Sequence, residues 1–228
     1  MTRKPLLNMV VVSILAALTA ESARSTAYRT AEEASLAFEA AWNDPKHTRF
    51  RMTPVALNAA FAAKSVPTRT TKTELWAIEM AKAAAPQLYI PHVVRAAIAG
   101  QMTRMNDDLS FLSRVSEQRS WLNPEVYVTV KEDVYILPGE QRVLFFGCVV
   151  DDRQSKLQPI FHVEHAAEGV EEDPINTWRI VHLTPCHDTQ LEGVMQRLDQ
   201  VTDPILRMVD IHRSLLSSCA LRRNNEGL

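Results

Sequence analysis

The chain has 228 residues, of which 46% are hydrophobic and 23% are charged, and its formal net charge is −2. This length and composition fit one medium-sized globular domain or two small ones, and we expect one domain. A net charge so close to zero gives no basic surplus to neutralise phosphates, which argues against nucleic acid as a main partner.

The first 22 residues have the layout of a secretory signal peptide. Arg3 and Lys4 precede an apolar run from residue 5 to residue 20, and Ser22 suits a cleavage site. The run is shorter than the roughly 20 apolar residues of a membrane span, so we expect a cleaved signal and a periplasmic or secreted protein. The alternative is an uncleaved segment that anchors an exported domain in a membrane. A mitochondrial presequence is disfavoured because the apolar run is too continuous.

Helical periodicity dominates the chain before residue 120. Thr30 and Glu33 form a capping start, and apolar residues at helical spacing follow it. Residues 66–71 have no period and predict a loop or linker. The apolar stripes predict helices over residues 30–43, 73–86, 91–105 and 109–115.

The period changes to two from Val126 onward. Alternating or continuous apolar runs separated by turn residues predict an antiparallel sheet. The run 142–150 is apolar on both faces, as expected for a central strand covered on both sides. The sequence thus predicts a four-stranded antiparallel meander over residues 126–136, 142–150, 157–166 and 178–183.

Two further helices are predicted after Pro185. Asp188 and Asp203 are favoured caps, and Pro204 is tolerated in a first helical turn. Their long apolar faces predict packing onto the domain or onto a partner. We therefore divide the chain into a signal or anchor (1–22), an N-terminal helical segment and linker (23–70), an α+β domain (71–185) and a C-terminal helical extension (186–228).

Helices followed by an antiparallel sheet whose last strand includes Asn176–Val181 resemble the cone-shaped α+β roll of the NTF2-like superfamily. The resemblance covers residues 73–184 and is one of element order. VirB8-like envelope components of that superfamily share an N-terminal hydrophobic segment and an exported helix-then-sheet domain. The resemblance implies a pocket in which enzymes of this superfamily often place Asp, Glu or His.

The stretch FHVEH, residues 161–165, is the strongest candidate for chemistry. On a strand, His162 and Glu164 share one face and His165 points to the other. If the next strand pairs in a simple hairpin, His182 could join them in a two-imidazole, one-carboxylate set that suits zinc or iron. The register decides this, and a solvent-facing His162 and Glu164 is the interpretation we favour. No metal or other cofactor is predicted.

Other reactive groups give weaker signals. The three cysteines are odd in number and lack CxxC spacing, which leaves either three thiols or one bridge between Cys186 and Cys219, with Cys148 free. Cys186 and His187 are adjacent, but no oxyanion-hole glycines surround them. A pocket could also recruit four polar aromatic groups: Tyr89, His92, Tyr127 and Tyr135.

Two functions follow from these patterns. The first is an exported, non-catalytic binding or assembly module that acts through a protein partner or a homo-oligomer, with membrane contact only through an uncleaved N-terminal segment. The second is a small exported lyase, isomerase or hydrolase with His162, Glu164 and His182 as catalytic residues. We favour the first, and convergence of the three side chains would favour the second.

Overall fold

A computed structural model describes residues 28–121, 123, 125–151, 156–183, 189–199 and 203–226. The predicted signal peptide, Cys186 and His187 lie outside the described residues. Among the helices within these ranges, none combines the length and the apolar character that crossing a membrane requires.

Helices and strands combine in an α+β fold. The helices are α1 (Ala31–Asn43), α2 (Leu57–Ala63), α3 (Lys72–Ala84), α4 (Pro86–Tyr89), α5 (Thr189–Asp199) and α6 (Asp203–Glu226). The strands are β1 (Thr48–Arg51), β2 (Val55–Ala56), β3 (Val94–Ala99), β4 (Thr103–Arg104), β5 (Ser110–Arg119), β6 (Tyr127–Leu137), β7 (Arg142–Asp151), β8 (Lys156–Val170) and β9 (Asp173–His182). The described strands form one antiparallel sheet in the order β1-β9-β8-β7-β6-β5-β3, with β2 also paired to β9 and β4 to β5.

The sheet is covered on both faces, which creates two separate apolar cores. Successive residues of a strand point to opposite faces. On β7, Val143 and Phe145 therefore belong to the larger core, to which α2 to α6 also contribute. Leu144 points the other way, into the smaller core beneath α1 with Phe38. The predicted central strand covered on both sides is thus confirmed.

The first helix begins as its sequence predicts. The Thr30 side chain accepts a hydrogen bond from Glu33 N, and the Glu33 carboxylate accepts from the Thr30 backbone N–H. This reciprocal capping satisfies N–H groups that a helix start leaves without partners. The predicted helix over 73–86 is also present as α3, which begins at Lys72 after its cap Thr71.

Two predicted helices are wrong. The range 91–105 contains β3 and β4, and residues 110–115 belong to β5. The buried positions of β5 are Leu112, Arg114, Ser116 and Gln118, so three of its four inward side chains are polar. Because the buried face is polar, the sequence lacks the apolar alternation that identifies a strand.

The four predicted meander strands are present in order as β6 to β9, but four is too few for the sheet. Strands β5 and β3 extend it beyond β6, and β1 extends it beyond β9. Strand β1 comes from the segment predicted as helix and linker, and its Thr48 pairs with His182.

The C-terminal extension packs on the chain's own domain. Ile205, Met208 and Val209 of α6 lie in the larger core. The Tyr89 hydroxyl lies 2.9 Å from His212 Nδ1 in a buried hydrogen bond, and Arg213 Nε donates to Glu74 Oε1 at 2.7 Å. These contacts hold α6 against α3 and α4, over the larger core.

Candidate functional site

The three side chains predicted as a site do not converge. In the β8–β9 ladder, His182 pairs with Phe161 and Val181 pairs with His162. Directly opposite residues share a face and neighbours along a strand alternate. His162 and Glu164 therefore lie on the α1 face of the sheet, whereas His182 lies on the face of the larger core.

Glu164 anchors α1 to the sheet. Its side chain is 6% exposed, and its carboxylate accepts from Arg142 and, at 2.6 Å, from Arg179 Nε. Arg179 also pairs with Glu39 of α1 at 2.5 Å. Burial opposes ionisation of Glu164, but the two guanidinium groups outweigh it and lower its pKa. The expected solvent-facing position of Glu164 is wrong, and both carboxylate oxygens serve structural ion pairs.

The two histidines of the predicted set are packed against aromatic rings. The His162 ring lies 4.5 Å from Phe146, its Nδ1 is 2.8 Å from Phe161 O, and burial lowers its pKa to about 4. His182 is buried with its ring 5.8 Å from Trp121. Within the described ranges, no group of three or more His, Cys, Asp or Glu could hold a metal ion, and Cys148 is a free thiol.

A cavity of about 350 Å³ lies in the larger core, between the sheet and the helices above it. Its surface is mainly apolar. Strands supply its floor, while Lys82 of α3, the segment between α4 and β3, the loop after β5 and the start of α6 supply its roof and sides. The main apolar groups that line it are Trp121, Phe145, Phe161, Val163, Ile180 and Ile205.

An ion pair between neighbouring strands contributes to the wall of this cavity. Arg114 Nε donates to Glu132 Oε2 at 2.7 Å, and Gln118 Nε2 donates to the same oxygen at 2.8 Å. Arg114 Nη1 also donates to Ala83 O at 2.6 Å, so the guanidinium satisfies a carbonyl at the C-terminus of α3. Arg114 and Glu132 are 5% and 3% exposed. This cluster fixes the sheet to α3.

A second buried ion pair lies on α3. Glu79 is fully buried; its carboxylate lies 2.5 Å from Lys82 Nζ and 3.0 Å from His165 Nδ1, and it accepts from Asn176 Nδ2 at 2.9 Å. Burial would raise the pKa of Glu79, but Lys82 and His165 hold it at about 2. Burial lowers the pKa of His165 to about 4. The positive charge of Lys82 contributes to this shift, whereas the negative charge of Glu79 opposes it. His165 is therefore neutral at pH 7.

Lys82 and His165 bring this second cluster to the cavity wall. Lys82 Nζ lies 4.9 Å from the centroid of the Trp178 ring, and the His165 ring stacks on the same indole at 4.5 Å. Glu79 is the ion-pair partner of Lys82 Nζ, and Nζ finds no other acceptor in the described part of the chain.

The sequence did contain one signal for this cluster. Glu79 and Lys82 continue the buried stripe that begins at Leu75, at positions where an apolar side chain is expected. Charged residues on a buried stripe require partners, but the partners His165 and Asn176 are distant in sequence. Of the four polar aromatic groups that the sequence offered for a pocket, only His92 lines the cavity. Tyr135 lies in the smaller core, the Tyr89 hydroxyl forms a hydrogen bond with His212, and the Tyr127 ring lies against the Arg95 guanidinium.

Comparisons with known proteins give likeness of overall shape only. No protein-family model and no curated protein matches the chain. Solved structures with a similar arrangement include the Zhui aromatase/cyclase from Streptomyces sp. R1128 (10% identity, TM-score 0.42, covering 74% of this chain and 94% of that one) and Ara h 8.0201 (8%, 0.44, 72% and 97%). Ginseng major latex-like protein 151 from Panax ginseng is similar to the same degree (11%, 0.40, 73% and 97%). The NTF2-like resemblance is not confirmed.

Proposed function

We propose that the protein is a non-catalytic binding module that holds a small, largely apolar molecule in the cavity above its sheet. The observation that carries this proposal is the cavity itself, whose volume of about 350 Å³ falls in the range of roughly 300–1,000 Å³ that is typical of ligand pockets. Protein interiors are otherwise close-packed, so a cavity of this size in the core requires an explanation.

The surroundings of the cavity support a binding role. Aromatic and aliphatic side chains cover most of its wall, as in sites that bury apolar ligands. The polar groups around it are held rigidly, because Arg114 is fixed to Glu132 and Glu79 is fixed to His165 and Asn176. A rigid wall lowers the entropy cost of binding.

The enzyme alternative loses the geometry on which it depended, because His182 lies on the opposite face from His162 and Glu164. The predicted protein partner or homo-oligomer stays a prediction. So do export and a periplasmic or secreted location, because residues 1–22 lie outside the described ranges. The apolar face of α6, which suggested packing onto the domain or a partner, contributes to the chain's own larger core.

Titration with the neutral fluorescent probe N-phenyl-1-naphthylamine tests the proposal. We expect saturable fluorescence enhancement at one probe per chain. Ile180→Trp fills the cavity and should weaken binding at least about tenfold. Ile98→Trp is the matched control, because Ile98 is 48% exposed on β3 whereas Ile180 is 7% exposed on the cavity wall.

Melting curves of both variants establish that they fold. If Ile180→Trp fails to fold, Val163→Phe narrows the same cavity with a smaller change in volume. Absence of saturable binding by the wild-type protein, or equal binding by the two tryptophan variants, would contradict the proposal.

A further inference from the structure

We infer that the ligand is a neutral molecule with a carbonyl oxygen, and that this oxygen accepts a hydrogen bond from Lys82 Nζ. The inference rests on the proposed function and adds the chemical class of the ligand. It depends on two independent observations: a buried ammonium that has hydrogen-bond donors to spare, and a charge balance in the cavity wall that disfavours an ionised ligand.

Lys82 is the charged group of the cavity wall whose donors find no hydrogen-bond acceptor among the described residues. Its side chain is 2% exposed and lines the cavity, and Nζ makes one ion pair, with Glu79. An ammonium carries three N–H donors. A buried polar hydrogen without an acceptor has a free-energy cost, so a ligand oxygen near Nζ gains a hydrogen bond that the unliganded protein lacks.

Arg114 and Gln118 of the cavity wall are already engaged with the protein. The indole Nε1 of Trp178 also lacks an acceptor among the described residues, but it is a neutral donor and forms weaker hydrogen bonds than an ammonium. Arg114 donates through Nε to Glu132 and through Nη1 to Ala83 O. Gln118 Nε2 donates to Glu132 and to Ser116 Oγ, the latter at 2.9 Å. A ligand oxygen that accepted from one of these N–H groups would have to replace its present acceptor and so break an existing hydrogen bond. Lys82 is therefore the favoured contact.

Charge balance argues that the ligand oxygen is neutral. At the cavity wall and directly behind it, the buried anions Glu79 and Glu132 pair with the buried cations Lys82 and Arg114. A bound carboxylate would leave one uncompensated negative charge in an apolar interior, and such a charge is strongly disfavoured. A ketone oxygen meets the need of Lys82 for an acceptor and leaves the balance unchanged.

Three probes of nearly the same shape test the inference: 2-ethylnaphthalene, 2-acetylnaphthalene and 2-naphthoate, each measured by displacement of N-phenyl-1-naphthylamine at pH 7. We expect 2-acetylnaphthalene to bind about tenfold more tightly than 2-ethylnaphthalene, the ratio for about one net hydrogen bond. We expect 2-naphthoate to bind more weakly than 2-acetylnaphthalene.

The double variant Glu79→Gln/Lys82→Met removes both charges together and so avoids leaving one of them buried alone. It should lose the preference for 2-acetylnaphthalene over 2-ethylnaphthalene. Lys131→Met is the matched control, because Lys131 is 5% exposed but lies on β6 outside the cavity wall. This control should keep the preference.

The outcomes separate the two proposals. If none of the probes binds, the proposed function fails. If 2-ethylnaphthalene binds and 2-acetylnaphthalene binds no more tightly, or if the double variant keeps the preference, the inference alone is refuted. Tighter binding of 2-naphthoate than of 2-acetylnaphthalene would also refute it, since the ligand would then be an anion.

Discussion

The buried pair of Glu79 and Lys82 gives the sharpest test of how this fold is held together. Glu79→Gln removes the only anion within 4 Å of the Lys82 ammonium among the described residues, while leaving an acceptor for Asn176. The ammonium then stays buried without a counter-charge. Removing one partner of a buried ion pair costs about 3–5 kcal/mol of unfolding free energy, and we expect this variant to fall in that range.

Lys82→Met is expected to cost less. Without the ammonium, the Glu79 carboxylate still has His165 Nδ1 at 3.0 Å and Asn176 Nδ2 at 2.9 Å. His165 can also take up a proton and neutralise the carboxylate, so we expect a loss of about 2–3 kcal/mol. The double variant Glu79→Gln/Lys82→Met leaves no unpaired charge, and its loss should be about 1–2 kcal/mol, well below the summed losses of the single variants.

Urea unfolding at pH 7, followed by tryptophan fluorescence and by circular dichroism, measures all four proteins of this cycle. If Glu79 and Lys82 depend on each other, the double variant loses several kcal/mol less unfolding free energy than the two single variants lose together. Losses that add within about 0.5 kcal/mol would show that Glu79 and Lys82 do not depend on each other, and that the ion pair does not stabilise the cavity wall.

Three more perturbations test other parts of the structure. Folding lowers the pKa of His162 and of His165 from 6.5 to about 4. Between pH 4 and pH 6.5 both histidines therefore bind protons in the unfolded chain but not in the folded protein. The contribution of these groups to the free energy of unfolding is fully present above pH 6.5, and lowering the pH from 7 to 5 should reduce the free energy of unfolding by about 2–4 kcal/mol. In urea unfolding, the His162→Gln/His165→Gln variant should lose less of this free energy over the same pH range. Phe146→Ala should lower the free energy of unfolding by about 3 kcal/mol, because the centroid of its ring lies 5.3 Å from that of Tyr28 and 4.5 Å from that of His162. An unchanged denaturation midpoint would contradict this packing. Zinc should leave the melting temperature unchanged because His182 lies on the other face from His162, and a rise abolished by both His162→Ala and His182→Ala would overturn that arrangement.

The sequence by itself determined the helices and strands whose buried side chains are apolar or whose ends carry capping residues. Helix α1 carries its own capping residues, strand β6 carries apolar side chains at the period of a strand, and strand β7 is apolar on both faces. The start of α6 at Asp203 follows from a favoured cap and a tolerated proline. These signals are local, so they can be interpreted without knowledge of the fold.

The tertiary structure alone decided the sheet beyond β6 and the location of the cavity. Strand β5 presents Arg114, Ser116 and Gln118 to the interior, so its sequence resembles an exposed segment until Glu132 and the end of α3 are brought beside it. His165 shares its strand with His162 and Glu164, yet it meets Glu79, 86 positions earlier in the chain, on the opposite face. Polar side chains are buried only where distant parts of the chain supply their partners, and these long-range pairs are not encoded by local periodicity.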